Sequence, residues 1–220
     1  MAKVTFTAVP RLKTGFAMSH LQIAAHSALE AYEIEQANAT KLSDGWFDGM
    51  MRLVPVSVVM AGTALEANAN ELIQDILDGS VHSPPTASCK VLLKDLKDDH
   101  SGNAWGRYRR LALLMDKEPD TGTEPWHNAM LLVKFRNEFM HFKPSWDSDD
   151  IHGGNLVADL KKKIPVVGAY KSKFLFPYGF MTYGCAKWAV QTVLTFSITF
   201  ATLLNVEDKF ALPPPDFTLP

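Results

Sequence analysis

The spacing of apolar residues along the chain predicts a protein built from α-helices. Between residues 16 and 39 the apolar side chains recur at intervals of three and four residues with glutamates between them, which is typical of a long amphipathic helix. The same spacing predicts a second long helix over residues 55–76, with Pro55 in its first turn and Gly79 at its end. Shorter or later helices are predicted over residues 91–96, 105–115, 126–142, 156–163 and 180–206.

The segments between these helices predict no sheet. Residues 4–9 alternate in the manner of a strand but have no second strand pattern to pair with, so we interpret residues 1–15 as an N-terminal arm. Residues 42–51 are interpreted as a loop or short turn, and residues 207–220, which contain three consecutive prolines, as a tail. We therefore expect a single all-α domain over residues 1–220, a helical bundle with its core in residues 16–206.

Composition narrows the class of protein. With 220 residues, 47% of them hydrophobic, the chain can bury the core of one domain. Its formal net charge of −2 excludes a protein that is basic over its whole surface, so nucleic acid would have to meet a local basic patch. Cys89 and Cys185 lack metal-type spacing and are interpreted as reduced structural thiols. The N-terminus has no long apolar run, and we expect a cytoplasmic protein.

Residues 188–206 form a long uncharged segment that has to be compared with a membrane span. They contain no acidic or basic residue and are long enough to span a bilayer. Threonine, serine, glutamine and asparagine side chains interrupt the apolar pattern, however, which favours a buried core helix over a lipid-exposed span. We therefore expect no membrane partner.

The most informative polar cluster is Arg136-Asn137 followed by His141, near the end of the helix predicted over residues 126–142. A separation of four residues places Asn137 and His141 on one helix face, and Arg136 lies about 100° around the helix axis from Asn137. Pro144 disfavours helical geometry at Lys143, so we expect His141 in the last turn, where the helix dipole favours a protonated imidazole.

These residue types suit the cleavage of RNA without a metal. RNA carries its own nucleophile, the 2′-hydroxyl, so the protein has to supply only a proton-transfer group and a cation for the phosphorane. His141 fits the role of general acid/base, Arg136 that of the cation, and Asn137 that of an orienting group. The sequence lacks pairs of histidines or cysteines at metal-ligand spacing, and we expect no metal or other cofactor. The alternative is an ordinary helix end, with Arg136 in an ion pair and His141 interacting with the dipole.

The run Arg136-Asn137-x-x-x-His141 resembles the motif of the HEPN (higher eukaryotes and prokaryotes nucleotide-binding) domain family. The earlier stretch over residues 64–73, Ala-Leu-Glu-Ala-Asn-Ala-Asn-Glu-Leu-Ile, is similar to a helix common in prokaryotic members, and we call it the LEAN stretch. The resemblance implies a HEPN-type bundle and a homodimer in which two copies form one endoribonuclease site. By analogy it implies a toxin–antitoxin or phage-defence role and a regulatory protein such as an antitoxin. The alternative is a non-catalytic helical module that binds a protein or a nucleotide.

Other residues are candidates for a supporting role. Glu66 and Asn70 share one helix face and are predicted to approach the motif, with helix capping or interhelical hydrogen bonding as the alternative. A second set shares a positive charge and is predicted to follow an RNA backbone, with a solvated helix face as the alternative for its arginines: Arg107, Arg109, Arg110 and Lys143.

Overall fold

The computed structural model describes residues 13–38, 44–99, 103–142, 154–165, 176–211 and 219–220. Within these ranges the chain forms seven α-helices and no strand, so the predicted all-α class is confirmed. Short 3-10 turns precede the second and the last helix, at Asp44–Trp46 and Tyr178–Phe180. The helices are α1 (Ala17–Asn38), α2 (Phe47–Asp78), α3 (Ala87–Asp98), α4 (Ala104–Leu114), α5 (Glu124–Met140), α6 (Gly154–Lys161) and α7 (Tyr183–Leu204). Most of the predicted arm and tail, residues 1–12 and 212–218, lies outside the described residues.

Helix α2 is the central element of the bundle, since it contacts α1, α3, α4, α5 and α7. Its buried residues are spread around much of its circumference and are mostly aliphatic or small, as expected of a helix surrounded by other helices. Helix α1 packs along α2 through small residues, among them Ala24, Ala28 and Ala31, which allow the two backbones to approach closely. At the end of α2, Gly79 adopts a left-handed conformation with φ 72°, which glycine adopts without a steric penalty.

The start of α2 differs from the prediction. The helix begins at Phe47, so the loop predicted over residues 42–51 is wrong for its last five residues, and Pro55 lies inside the helix instead of in its first turn. An interior proline lacks one backbone hydrogen bond and costs about 3 kcal/mol. Met50 and Val54 are fully buried on the N-terminal side of Pro55, and burying side chains of that size contributes about 1.5–3 kcal/mol each. Tertiary burial therefore extends the helix through the proline.

An aromatic cluster joins α4, α5 and α7 in the core. The ring of Phe196 in α7 lies 4.8 Å from that of Tyr108 and 5.0 Å from that of Trp126, in both cases edge to face. The Tyr108 hydroxyl donates a hydrogen bond to the carbonyl of Leu65 and accepts one from the side-chain amide of Asn68, both at 3.0 Å. Burial raises the pKa of Tyr108, so this hydroxyl stays protonated and keeps its donor. Trp126 is thus a core residue.

Helix α7 lies on one side of the bundle against α1, α2 and α5, and its inner face is buried as predicted. By length and composition both α2 and α7 could cross a membrane, although about half of the most apolar window in each is buried inside the protein, 44% and 50% respectively. A core helix passes the same test. The expectations of no membrane partner and of a cytoplasmic location stay predictions.

Both cysteines are free thiols, as predicted. Cys185 lies in the core at the start of α7, where burial raises the pKa of its thiol. Thr182, the residue before α7, accepts a hydrogen bond at 3.1 Å from the Cys185 N–H and so caps the helix. Both observations indicate a structural cysteine.

Ion pairs tie the segments before α1 and after α7 to the C-terminal half of α2. Asp75 accepts hydrogen bonds from Lys13, which precedes α1, and from Lys209, which follows α7 and lies 2.6 Å from the Asp75 carboxylate. Glu71 pairs with Lys209 at 3.1 Å and accepts the N–H of Ala17 at 2.9 Å, which satisfies a free donor at the start of α1. We call these residues the terminal clamp.

Candidate functional site

Helix α5 positions the motif through its buried face. Buried apolar residues, among them Trp126, Leu132 and Phe135, anchor this face in the core and leave Arg136 and Asn137 half-buried at the edge of the bundle. Helices of this kind present polar side chains along the border between core and solvent. The motif therefore lies at the surface, on a helix whose core contacts fix its orientation.

His141 follows the last residue of α5. Its φ of −116° is not helical, and its N–H donates to the carbonyl of Asn137 at 2.9 Å. The expectation of a place inside the last turn is therefore wrong by one residue, although the imidazole remains one turn beyond Asn137. The His141 side chain is exposed, and no hydrogen bond joins it to the described part of the chain. Pro144 and Lys143, on which that expectation depended, lie outside the described residues.

The Arg136 guanidinium is held by two acceptors. One terminal nitrogen, Nη2, donates to Oε2 of Glu66 at 2.8 Å, and Nη1 donates to Oδ1 of Asn137 at 3.0 Å. The side chains of Arg136 and Glu66 are 20% and 31% exposed, so the ion pair lies at the boundary of the bundle and is only partly screened by water. Arg136 is thus oriented before any ligand binds.

A close approach of α2 and α5 makes this contact geometrically feasible. A Cβ atom added at Gly62 in α2 would lie 3.0 Å from both Cβ and Cγ of Arg136. Since glycine has no side chain, the stem of Arg136 crosses α2 at this point and its guanidinium reaches Glu66, four residues further along the same helix. Gly62 was not identified from the sequence, because a single glycine within a helical pattern does not indicate its neighbour.

One donor of Arg136 remains without a partner. Its Nε is buried and forms no hydrogen bond within the described residues. A buried N–H of a charged group is costly to leave unpaired, and water or a ligand oxygen would satisfy it. Two terminal nitrogens of the guanidinium are therefore bonded, and the buried Nε is not.

The two supporting residues lie at different places. Glu66 forms an ion pair with Arg136, so it approaches the motif as predicted. Asn70 does not belong to this site, because its side-chain oxygen accepts a hydrogen bond from Arg107 in α4. The prediction that Asn70 supports the motif is therefore wrong in this structure, and the alternative of an interhelical hydrogen bond is correct.

The predicted contact of Arg107 with an RNA backbone is also wrong in this structure. Arg107 is 7% exposed, with one terminal nitrogen donating to Asn70 and the other to the backbone carbonyl of Asp99. Its guanidinium is thus neither available to an RNA backbone nor part of a solvated face. Arg107 follows Ala104 by three residues and precedes Leu111 by four, both buried, so it lies in the inward stripe of α4. That spacing was visible in the sequence and would have indicated burial.

The remaining cations of this set have different surroundings. Arg109 is exposed on α4. Arg110 forms an ion pair with Asp99, with 2.9 Å between Nη1 and Oδ2. Lys143 lies outside the described residues. Of the four predicted RNA contacts, only Arg109 is therefore an exposed cation that is not engaged in an ion pair in the part of the chain that the structure describes.

The LEAN stretch supplies interhelical contacts to three different helices. Each of its polar residues contacts a different partner, with Glu66 bonded to α5, Asn68 and Asn70 to α4, and Glu71 to the start of α1. Asn68 is the buried member of this set, and a buried polar side chain is tolerated where a partner such as the Tyr108 hydroxyl binds it. The stretch therefore fixes how the neighbouring helices are arranged, a role that its resemblance to a family motif did not indicate.

Comparison with known proteins adds no relative. No protein-family model, curated protein or solved structure matches this chain. Within the described residues, no group of three or more histidine, cysteine, aspartate or glutamate side chains is arranged to hold a metal ion. The likeness to HEPN domains rests on the motif and the LEAN stretch, and the expectation of metal-free chemistry stays a prediction.

Proposed function

We propose that this protein is a HEPN-like endoribonuclease that cleaves RNA without a metal, as a homodimer with one composite site. The observation that carries the proposal is the orientation of Arg136 by Glu66 and Asn137, at the end of a helix that continues into an exposed His141. A fixed cation and a solvent-accessible imidazole are the minimum equipment for cleavage by the RNA 2′-hydroxyl.

The reaction assigns one task to each side chain. The 2′-oxygen attacks phosphorus, a new bond between them forms, and the bond from phosphorus to the 5′-oxygen breaks. The products are a 2′,3′-cyclic phosphate and a 5′-hydroxyl. His141 accepts the proton of the 2′-hydroxyl or delivers one to the departing 5′-oxygen. Arg136 neutralises charge on the phosphorane by sharing its terminal nitrogens with the phosphate. Asn137 keeps the guanidinium in place.

The chemistry also supports a dimer. In a concerted cleavage one imidazole cannot accept and donate a proton at the same time, and one protomer supplies a single His141. A second copy that brings its own His141 to the same phosphate provides both groups. By analogy with the family, such an enzyme acts in the cytoplasm in toxin–antitoxin or phage defence and is restrained by a regulatory protein.

The second candidate function is a non-catalytic helical module that binds a protein or nucleotide. The contact between Glu66 and Arg136 favours it, because a glutamate at 2.8 Å already neutralises the proposed catalytic cation. An arginine with a purely structural role has the same environment. Activity measurements distinguish the two functions.

The decisive experiment incubates the purified full chain with total RNA in EDTA and analyses the ends of the products. We expect cleavage that leaves 2′,3′-cyclic phosphates and falls by about 100-fold or more in Arg136→Ala and in His141→Ala. His141 is exposed, so its substitution leaves the fold intact. His26→Ala is the matched control, because His26 is an exposed histidine on α1 and its loss should leave the rate unchanged.

Light scattering tests the composite site separately. We expect a mass near twice 24.4 kDa at micromolar concentration. Wild-type protein that cleaves no RNA across several substrates overturns the enzyme and supports the binding module. A monomer that cleaves RNA overturns the composite site alone.

A further inference from the structure

A groove between α3 and α4 forms a cavity of about 440 Å³ that the proposed function does not use. Its apolar lining comes from both helices: Leu92, Leu96, Leu113 and Leu114. Leu92 and Leu113 are 50% and 51% exposed, and burying either one would be favourable. A concave apolar site of 300–1,000 Å³ with a few polar groups is typical of small-ligand pockets.

Among the described residues, one charge of the polar lining has no compensating partner. Arg110 and Asp99 both line the groove, and the 2.9 Å ion pair between them balances their charges. Asp95 lies four residues before Asp99, which follows the end of α3, and its carboxylate has no hydrogen bond or ion pair with any described residue. The groove thus pairs an aliphatic lining with a single uncompensated negative charge.

We infer that this groove binds a small amphiphilic cation, a ligand with an aliphatic body and one ammonium or guanidinium group. The aliphatic body lies between Leu92 and Leu113 and removes both from water. The cationic group pairs with Asp95, and the ion pair of Arg110 with Asp99 remains as it is. This inference is independent of the proposed RNA cleavage and assigns Arg110, which the sequence associated with RNA, to the wall of a different site.

The test is an NMR titration of the full chain with three ligands that share one chain length and differ in charge: octylammonium, 1-octanol and octanoate. We expect octylammonium to bind about tenfold more tightly than 1-octanol, because only the ammonium gains an ion pair, and octanoate to bind most weakly. Asp95→Asn should reduce octylammonium to the affinity of 1-octanol. Leu113→Asn, a change at an exposed position, should weaken the binding of all three ligands.

Asp98→Asn is the matched control, since Asp98 is an exposed aspartate of α3 that does not line the groove. It should leave the preference for octylammonium unchanged. Equal affinity of the wild type for octylammonium and 1-octanol overturns the inference, as does a preference that survives in Asp95→Asn. Failure of all three ligands to bind up to their solubility limits also overturns it.

Discussion

Glu66 determines where the Arg136 guanidinium lies, and this one contact supports both candidate functions. Loss of the carboxylate would free the guanidinium to reorient and would leave a partly buried cation without its counterion. Both side chains of the pair are partly exposed. The strength of the ion pair should therefore lie between that of surface pairs and that of core pairs. It can therefore be measured as a coupling free energy.

We predict that a double-mutant cycle of Glu66→Ala and Arg136→Ala gives a coupling free energy of about 1–2 kcal/mol. Urea unfolding of the wild type, both single variants and the double variant measures it. A matched cycle on Lys162 and Asp159, an exposed pair at 2.8 Å within one helix end, should give a smaller coupling. Equal coupling in the two cycles contradicts the view that Glu66 holds Arg136.

At the scale of helices, the distance between α2 and α5 is set at Gly62. A methyl group there meets the stem of Arg136 at 3.0 Å, and Cβ of Arg136 cannot move without its own backbone. Alanine is favoured over glycine inside a helix by about 1 kcal/mol, whereas overpacking costs about 1–3 kcal/mol. The cost of crowding the added methyl group against Arg136 should therefore exceed the stability gained from the higher helix propensity of alanine.

We therefore predict that Gly62→Ala lowers the free energy of unfolding by about 1 kcal/mol and slows RNA cleavage, because α5 shifts and Arg136 moves away from Glu66. Urea unfolding and the RNA assay measure the two effects. Gly45→Ala is the control, because nothing lies within 4 Å of a Cβ added there. A Gly62→Ala variant with higher stability and full activity would show that α2 and α5 do not meet closely at this position.

For the whole molecule, the terminal clamp connects both ends of the helical bundle to α2. Burial by itself would raise the pKa of Asp75, but hydrogen bonds and charge interactions with Lys13 and Lys209 outweigh burial and hold that pKa below its usual value. A depressed carboxylate pKa in the folded state contributes stability at neutral pH. This contribution is complete above the pKa of the unfolded chain and is lost as the pH falls through the folded value.

We predict that Asp75→Asn lowers the free energy of unfolding at pH 6 by on the order of 1 kcal/mol, and that its difference from the wild type shrinks at pH 3. Urea unfolding at the two pH values gives both numbers. Asp98→Asn, an exposed aspartate outside the clamp, should show no such pH-dependent difference. A difference between Asp75→Asn and the wild type that is equal at both pH values contradicts a charged clamp.

The sequence determined the local features of this protein. Apolar periodicity predicted α1, α4, α5 and α7 within a few residues of their ends, because each presents a continuous buried stripe to the core. The spacing of Arg136, Asn137 and His141 on one helix also depends only on the chain itself. Pro55 was misread because the cost of an interior proline is local, whereas the burial that outweighs it comes from other helices.

Only the tertiary structure determined which side chains and helices contact each other. Whether Arg136 meets Glu66, Arg107 meets Asn70 or α3 forms a groove with α4 depends on where distant segments pack, and periodicity carries no information about a neighbour. Gly62 is an example. It leaves space for the side chain of Arg136, which lies 74 positions later in the chain. Sequence determined which groups are present, and packing determined which of them meet, because contact energies act between residues that the chain order does not bring together.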